Sequence, residues 1–535
     1  MSERLMIWGE DKLEQSPWFD ADWYRGQYPD VAWSGMSPEE HYLRLGESWG
    51  RCPGPHFDPE WYLAQYPDVA QVGMSPLLHF IIHGETEGRL PCELQAQAWD
   101  VALWAQQVSA ATCLQALEAL QNSGSLPEAS LAGFAMARWH AGQGDWQAAG
   151  DCLARRPAGE LALPRHVGPL LLAVEAFGRS GQLAMAWQAM SALQRRAAAL
   201  VDTHLAVSNL LAWLGEYLPE APASLQFEWQ QQRLAWINAA WRQHGLGTIG
   251  LANTAHALGL DNLHGHAASR GSGRESQASP LVSVIVPVYN AADTLPTALR
   301  SLAEQRDVAL EVIVIDDASD DASASVVDAF AERDARFRVL RQPVNQGAYA
   351  ARNRGVAEAR GDMITVHDSD DWSHPEKLAT QVRGLMRHPE WMACCSHWVR
   401  TSPALIFSCW RMEQGWSYRN VSSLMFRRRV FETLGYWDEV RAEADTEYYY
   451  RIRAAFGIQS VGEVLPGVPL SFGRQAEDSL TSVGRTHLVT QFHGARADYR
   501  RASQSWHAQA RDPADLFLPR KPEQRPFEVP AVLLP

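Results

Sequence analysis

The pattern of hydrophobic and polar positions changes at about residue 281. Beyond it, short apolar runs such as LVSVIVPVYN and LEVIVIDDAS alternate with segments of helical periodicity such as GAYAARNRGVAEA. Apolar runs of this length predict buried strands, and their alternation with helices predicts a largely parallel sheet. We therefore predict an α/β domain over residues 281–510, followed by a Pro-rich C-terminal tail over residues 511–535.

The middle of the chain, residues 96–265, has apolar residues at helical spacing and few β-branched residues. Segments such as AMARWHAGQGDWQAAGDCL predict a helix, a Gly-containing turn and a second helix, which resembles the tetratricopeptide hairpin. Residues 266–280 are small and polar, and this composition predicts a linker. The sequence thus predicts an all-α region joined by a linker to the α/β domain.

The N-terminal region, residues 1–95, contains an internal repeat. The segment FDADWYRGQYPDV begins at Phe19 and FDPEWYLAQYPDV begins at Phe57, an offset of 38 residues. In the second copy Asp58 precedes a proline, which predicts a capped helix start. We predict a helical module in which the repeated aromatic side chains form the core. A groove of Trp and Tyr side chains that binds a sugar or a partner is the alternative.

Composition narrows the possible functions. The chain has 535 residues, of which 46% are hydrophobic and 20% charged, as is typical of globular proteins. Its formal net charge of −15 argues against binding to a nucleic acid polymer. The seven cysteines include no C-x-x-C pair, and we find neither a signal peptide nor a transmembrane segment. We predict a cytoplasmic location, with peripheral contact at the inner face of the membrane as an alternative.

Polar residues follow three of the predicted strands. Because the carboxyl ends of parallel strands meet at one edge of a sheet, where ligands bind, we expect these residues to lie together. A carboxylate can accept hydrogen bonds from a base or a ribose hydroxyl, and oxygen ligands suit Mg²⁺ or Mn²⁺. The residues are Tyr289 after the first strand, Asp316 and Asp317 after the second, and Asp368, Asp370 and Asp371 after the fourth.

Four segments carry a family resemblance: VSVIVPVYNAADTLPTALRSLAEQ, EVIVIDDASDD, NQGAYAARNRGVAEARGD and DSDDW. Together they resemble a family 2 glycosyltransferase with the GT-A fold, a Rossmann-like mixed sheet with helices on both faces. DSDDW corresponds to the family's D-x-D motif. The resemblance implies inverting transfer of a sugar from a nucleotide-diphospho-sugar, with UDP as the default nucleotide. It implies a glycan or lipid-linked acceptor in bacterial surface polysaccharide synthesis.

The resemblance also assigns donor-site roles. It places the donor base near Pro287, Tyr289 and Asp317, and it directs Asp368 toward the ribose and diphosphate. Arg352 has two interpretations of equal weight: contact with the donor nucleotide or diphosphate, or a structural salt bridge on its helix.

The metal and the catalytic base follow from the same resemblance. Asp370 is the predicted ligand of Mn²⁺ or Mg²⁺, and Asp371 is a second ligand. Asp445 takes the position of the catalytic base, although Ala444 replaces the glutamate that usually precedes it. Glu447 is the alternative base. Asp445 could also cap a helix that begins at Thr446.

A different class of function remains open. The transferase-like domain could be catalytically inactive, and the protein could act as a scaffold or binding protein through its helical repeats. In either case we expect residues 1–260 to contact protein partners. The acidic residues at the strand ends favour the enzyme, because an inactive copy has no need to retain them.

Overall fold

The computed structural model describes residues 3–266, 280–475 and 487–534. The predicted linker, residues 266–280, lies outside the described residues apart from its two end positions. The chain divides into two compact units, residues 1–196 with 410–414, and residues 197–409 with 415–535. This division differs from the predicted boundary at residue 265, because the last helices of the predicted all-α region belong to the second unit.

The first unit is built from helices, and its two sequence repeats make the same local contacts. Asp58 begins a helix by accepting a hydrogen bond from the backbone N–H of Trp61 at 3.0 Å, as Asp20 does from Trp23 at 2.9 Å. The helices are α1 (Glu3–Glu14), α2 (Ala21–Gln27), α3 (Asp30–Ser34), α4 (Pro38–His41), α5 (Pro59–Gln65), α6 (Pro67–Val72), α7 (Pro76–His79), α8 (Glu85–Glu87), α9 (Gln95–Trp104), α10 (Ala110–Gln121), α11 (Leu126–Gly142), α12 (Trp146–Ala154), α13 (Gly168–Arg179) and α14 (Leu183–Ala197).

Both repeats bury a tyrosine beside a histidine. The Tyr24 hydroxyl lies 3.2 Å from Nδ1 of His41, and the Tyr62 hydroxyl lies 3.0 Å from Nδ1 of His79. Tyr24 and Tyr62 are fully buried. A buried hydroxyl needs a hydrogen-bond partner, and the histidine supplies it within each copy. These histidines therefore serve the packing of the helical module.

The second unit begins with a helical hairpin and continues as an α/β domain. Its helices are α15 (Val201–Tyr217), α16 (Ala223–Arg242), α17 (Leu295–Ala303), α18 (Ser323–Arg333), α19 (Ala348–Glu358), α20 (Lys377–Arg387), α21 (Arg428–Leu434), α22 (Ala444–Phe456) and α23 (Ala495–Gln509). Its strands are β1 (Thr248–Leu251), β2 (Leu263–His266), β3 (Leu281–Val288), β4 (Ala309–Asp316), β5 (Phe337–Arg341), β6 (Met363–Val366), β7 (Trp372–Ser373), β8 (Ala393–Cys395), β9 (His397–Thr401), β10 (Phe407–Ser408), β11 (Tyr418–Arg419), β12 (Met425–Arg427), β13 (Val461–Glu463) and β14 (Pro469–Arg474).

The main sheet has seven strands in the order β13-β8-β12-β6-β3-β4-β5. Strands β6, β3, β4 and β5 are parallel, while β12 runs antiparallel to both β6 and β8. The result is a mixed sheet within an α/β domain, which confirms the predicted fold class. A smaller sheet pairs β10, β9, β14 and β7, with β11 on β9, and β1 and β2 form a separate hairpin.

The Pro-rich tail packs on the α/β domain. Leu518 exchanges backbone hydrogen bonds with Leu434 at 2.9 Å and Tyr436 at 2.9 Å, beside the end of α21. Leu516 and Leu533 are buried. Apolar anchors and backbone pairing therefore hold the tail on the α/β domain.

Polar side chains of α15 explain why the hairpin belongs to the second unit. Asp202 is buried, and its carboxylate accepts hydrogen bonds from the Trp416 N–H at 2.7 Å and the Ser417 hydroxyl at 2.5 Å. Asn209 accepts from the Phe407 N–H at 2.9 Å and donates to its carbonyl at 2.7 Å. These contacts satisfy backbone groups of the α/β domain that would otherwise be buried without partners.

Removal of the Asp202 carboxylate is expected to destabilise the second unit. Asp202→Ala leaves the Trp416 N–H and the Ser417 hydroxyl without their acceptor, which costs about 3 kcal/mol of unfolding free energy. Differential scanning calorimetry of the full chain should show a lower transition temperature. Asp328→Ala is the control: it breaks only an exposed pair with Arg341, which is worth about 0–1 kcal/mol. Equal shifts for the two variants would contradict the prediction.

Candidate active site

Two strand ends meet at one edge of the main sheet, as predicted. Val288 at the end of β3 lies opposite Asp316 at the end of β4. The loops that follow are tied together, since the Asn290 N–H donates to the Ser319 hydroxyl at 3.1 Å. Tyr289 is 50% exposed, so its ring is available to a ligand. Pro287 is buried inside β3, so it can shape the site but offers little surface.

Asp317 has a structural duty at this edge. Its buried carboxylate accepts hydrogen bonds from the backbone N–H groups of Gln346 at 2.9 Å and Gly347 at 2.7 Å, and from the Gln342 side chain at 2.7 Å. Gly347 has φ of +90°, which favours glycine. Asp317 thus fixes the loop before α19. Its predicted contact with a donor base stays a prediction.

Arg352 on α19 pairs with Asp368. Its Nη2 lies 2.8 Å from the Asp368 carboxylate, and only 7% of its side chain is exposed, against 32% for Asp368. Burial by itself would lower the pKa of Arg352, but the charge of Asp368 reverses this, and the pKa is raised. Arg352 thus forms a salt bridge, but with the end of β6 and not along its own helix, and its predicted contact with the donor stays a prediction. The salt bridge leaves the partly exposed Asp368 facing the edge of the sheet with a charged partner behind it.

Asp370 and Asp371 are held by β14. The backbone N–H of Arg474 donates to Asp371 at 3.1 Å, and the Arg474 side chain donates to the Asp370 carbonyl at 3.1 Å. Burial, together with the charge of Asp368, raises the pKa of Asp370 to about 6. Burial and the neighbouring carboxylates raise the pKa of Asp371 well above its usual range. Crowded carboxylates that raise one another's pKa gain most from a cation.

The acidic residues fit a divalent metal only in part. Within residues 3–266, 280–475 and 487–534, no three His, Cys, Asp or Glu side chains are grouped so as to hold a metal by themselves. Magnesium in proteins is commonly held by one or two carboxylates together with substrate phosphates. Asp370, half-buried, and Asp368 suit that arrangement. Asp371 is buried and already accepts a hydrogen bond, so its role as a second ligand stays a prediction.

Asp445 lies in the first turn of α22, half-buried. Its carboxylate accepts a hydrogen bond from the Tyr349 hydroxyl at 3.0 Å. The expected helix start at Thr446 is wrong, although the Asp445 carboxylate does accept a hydrogen bond from the Thr446 backbone N–H at 2.8 Å. The helix begins at Ala444, and the cap position is Glu443, whose φ of +76° is left-handed.

The alternative base, Glu447, is enclosed. Its side chain is 1% exposed, and its two oxygens accept hydrogen bonds from Arg451 at 2.9 and 2.7 Å. His507 lies 2.8 Å from the same carboxylate. Although burial alone would raise the pKa of Glu447, the charge of Arg451 lowers it. Glu447 therefore anchors α22 to α23 and is not accessible to a substrate in this structure.

The sequence analysis missed Tyr349. This buried residue donates to Asp445, and its ring lies 4.9 Å from the guanidinium carbon of Arg352. It therefore links the predicted base to the Arg352–Asp368 pair. Nothing in the local pattern marks it, because a tyrosine at the start of an amphipathic helix is typical of a core position. The link depends on a residue 96 positions further along the chain.

Comparisons with known proteins identify this region. The family model described as Glycosyl transferase family 2 matches residues 283–433. The chain contains a glycosyl transferase family 2 domain. The match covers β3 to α21 and includes the acidic strand ends, whereas Asp445 follows it. The domain has the GT-A fold class that the sequence predicted.

Curated relatives match about a fifth of the chain. The putative glycosyltransferase EpsH of Bacillus subtilis is 41% identical over 105 residues, 20% of this chain and 30% of the relative. The succinoglycan biosynthesis protein ExoO of Rhizobium meliloti is 41% identical over 103 residues, 19% of this chain and 29% of the relative. The chain thus covers about a third of each relative's length. A crystal structure of S. aureus TarS 1-349 in complex with UDP-GlcNAc is 18% identical over 38% of this chain and 61% of that chain, with a TM-score of 0.31.

None of the described helices combines the length and the hydropathy that crossing a bilayer requires.

Asp370 is expected to destabilise the metal-free protein at neutral pH. Its folded pKa of about 6 is raised above the ordinary 3.8, so the ionised carboxylate costs stability as the pH rises through this window. Asp370→Asn keeps the shape and removes the charge. At about pH 8 in EDTA we expect unfolding free energy to rise by about 2 kcal/mol, seen as a higher melting temperature.

Below about pH 4 the Asp370 carboxyl is neutral in both the folded and the unfolded protein. The difference in unfolding free energy between Asp370→Asn and the parent should therefore vanish. The exposed Asp293→Asn is the matched control and should leave the melting temperature unchanged at both pH values. A less stable Asp370→Asn at about pH 8 would show that Asp370 is not electrostatically strained.

Proposed function

We propose that this protein is an inverting, metal-dependent glycosyltransferase. It moves a sugar from a nucleotide-diphospho-sugar, with a UDP-sugar as the default, to a glycan or lipid-linked acceptor. The observation that carries the proposal is the connection between Asp445 and Asp368 through Tyr349 and Arg352, at the edge of a family 2 domain. A displacement of this kind requires a general base near the bound donor, and these contacts link the candidate base to a candidate donor-binding carboxylate.

The donor side of the proposed site uses the strand ends. The exposed ring of Tyr289 offers a stacking surface for a planar base. Asp368, held by Arg352, accepts hydrogen bonds from ribose hydroxyls. Asp370, with Asp371 as a second ligand, holds Mn²⁺ or Mg²⁺, which when bound offsets charge on the donor diphosphate. Pro287 and Asp317 shape the base pocket.

Asp445 is the proposed general base. It accepts the proton of the acceptor hydroxyl while that oxygen bonds to the anomeric carbon of the donor sugar. The bond from this carbon to the diphosphate oxygen breaks on the opposite face, and the bonding electrons leave with the nucleoside diphosphate. Attack and departure on opposite faces invert the anomeric configuration. Asp445 needs partial exposure for this role, and it is half-buried.

Tyr349 is a positioning residue in this proposal. Its hydroxyl donates to one oxygen of Asp445 and so leaves the other oxygen to face the acceptor. Its ring supports the guanidinium of Arg352. One side chain thus fixes the distance between the base and the donor-binding carboxylate, which matters because small misplacements of reacting groups are costly.

The names of the relatives suggest the biological setting. ExoO is called a succinoglycan biosynthesis protein, and TuaG of Bacillus subtilis is called a putative teichuronic acid biosynthesis glycosyltransferase. We therefore place the proposed reaction in bacterial surface polysaccharide synthesis, in the cytoplasm, with peripheral contact at the inner face of the membrane as the alternative. Residues 1–260 are proposed to contact protein partners.

Asp445→Asn is expected to abolish turnover without loss of donor binding. Loss of a general base lowers kcat by a factor of roughly 10³. A thermal-shift screen of nucleotide sugars with Mn²⁺ identifies the donor, because a ligand of the native state raises its melting temperature. Release of nucleoside diphosphate then measures turnover. Asp498→Asn, an exposed aspartate on α23, is the control.

Retained turnover in Asp445→Asn would remove Asp445 from its proposed role. A folded parent protein whose melting temperature responds to no nucleotide sugar would instead support the scaffold function, in which the helical repeats act and the transferase-like domain is inactive.

Two substitutions at Tyr349 separate its contacts. Tyr349→Phe loses only the hydroxyl bond to Asp445, so we expect kcat to fall about tenfold with the donor KM unchanged. Tyr349→Ala also removes the ring beneath Arg352, so the donor KM should rise as well. Steady-state kinetics with the donor from the thermal-shift screen measure both. An equal change in kcat and KM for the two variants would show that Tyr349 acts only in packing.

A further inference from the structure

A second pocket lies in the same unit, away from the candidate active site. Its volume is about 310 Å³, and its walls come from the end of α16, from the C-terminal half of α20 and from β13 with the residues after it. None of the acidic strand-end residues lines it. The size falls at the lower end of the range for small-molecule sites.

Basic side chains dominate the polar part of this pocket. Arg383 and Arg387 stand one turn apart on α20, and His244 and His388 complete the group. Arg383 donates to the Thr380 hydroxyl at 3.0 Å, which fixes its direction along the helix. His388 lies 3.0 Å from the exposed carboxylate of Glu390, so the positive charge of this group is that of the two arginines, in a chain whose formal net charge is −15.

The one acidic side chain among the pocket's lining residues is already neutralised. Glu463 accepts a hydrogen bond from Arg419 at 2.9 Å and lies 2.7 Å from Nε2 of His397. The hydrogen bond with His397 and the adjacent Arg419 lower the pKa of Glu463 to about 2. Because both partners hold this carboxylate, it does not offset the charge of the α20 arginines.

The side of the pocket that Trp391 forms is closely packed. The His388 ring stacks on Trp391 with ring centres 4.0 Å apart, and Arg427 holds the Trp391 carbonyl at 2.8 Å. The indole lies against Gly462, where an added Cβ would come within 2.2 Å of the ring. A glycine is therefore required for the indole to line the pocket as it does.

We propose that this pocket binds the phosphate group of a small phosphorylated ligand. Planar guanidinium groups match phosphate oxygens, and two of them on one face of a helix can share one phosphate. The rest of the pocket is apolar, lined by Leu246, Val464 and Leu465. It therefore suits an apolar group attached to the phosphate. The site is independent of the proposed transferase reaction.

Isothermal titration of the full chain in EDTA with inorganic phosphate and with phenyl phosphate tests the proposal. We expect both to bind, phenyl phosphate more tightly. Arg387→Gln and Arg383→Gln should each weaken binding by roughly tenfold. Arg333→Gln, an exposed arginine on α18 outside the pocket, should leave binding unchanged. Arg387 is exposed, so its variant remains informative even if Arg383→Gln does not fold.

A second experiment distinguishes a lipid headgroup from a soluble phosphorylated ligand. Vesicles of equal parts phosphatidylglycerol and phosphatidylcholine should bind the parent and not Arg387→Gln if the pocket takes a lipid headgroup. Binding of phenyl phosphate without vesicle binding indicates a soluble ligand. The proposal is overturned if neither probe binds, if Arg333→Gln weakens binding as much as Arg387→Gln, or if Asp370→Asn alone abolishes binding, which would place the probe at the acidic strand ends.

Discussion

The burial of β3 between two parallel neighbours is the constraint on which the α/β domain depends. Residues 282–288 are buried throughout, and each side of the strand is paired, with β4 on one side and β6 on the other. Backbone groups at this depth have no water, so the ladder must supply their partners. Parallel pairing then forces the chain to leave neighbouring strands at the same edge, and this edge carries the polar residues.

Charge balance at that edge is the second constraint. Five aspartates lie at the ends of β4 and β6, and buried cations lie beside them. Arg352 pairs with Asp368, and Arg474 binds the Asp370 carbonyl and the Asp371 carboxylate through its side chain and backbone. Lys377 is buried nearby, where its ammonium donates to Ser423 at 2.6 Å and burial lowers its pKa to about 8. The cations compensate for part of the acidic charge, while burial and then the charge of Asp368 still raise the pKa of Asp370.

Two buried carboxylates support the elements that carry the candidate site residues. The Asp317 carboxylate accepts hydrogen bonds from the loop before α19, and α19 carries Tyr349 and Arg352. The Glu447 carboxylate is hydrogen-bonded to Arg451 and His507, and it fixes the helix that carries Asp445. In each case a buried carboxylate with satisfied hydrogen bonds fixes an element of the candidate site, and on α22 that element carries the half-buried Asp445. Positions of this kind keep the accessible group in one geometry without sharing in its chemistry.

The sequence by itself determined the α/β class, the order of the first strands and the polar residues that follow them. These features are local, since apolar runs and turn residues act over a few positions. It also led to the family, because the motifs DSDDW and NQGAYAARN are short and contiguous. What the sequence could not decide was which carboxylates are accessible. Glu447 and Asp445 lie two positions apart on one helix, and no local pattern separates the enclosed residue from the half-buried one.

Only the tertiary structure determines which carboxylates are accessible. His507 of α23 packs against Glu447 and encloses it, while Tyr349 of α19 donates a hydrogen bond that orients Asp445. The division of the chain also depended on distant partners, because Asp202 and Asn209 bind backbone groups some 200 residues away. Burial and hydrogen-bond pairing are properties of residues brought together by folding. They set the exposure of each carboxylate, and exposure distinguishes the supporting Glu447 from the candidate base Asp445.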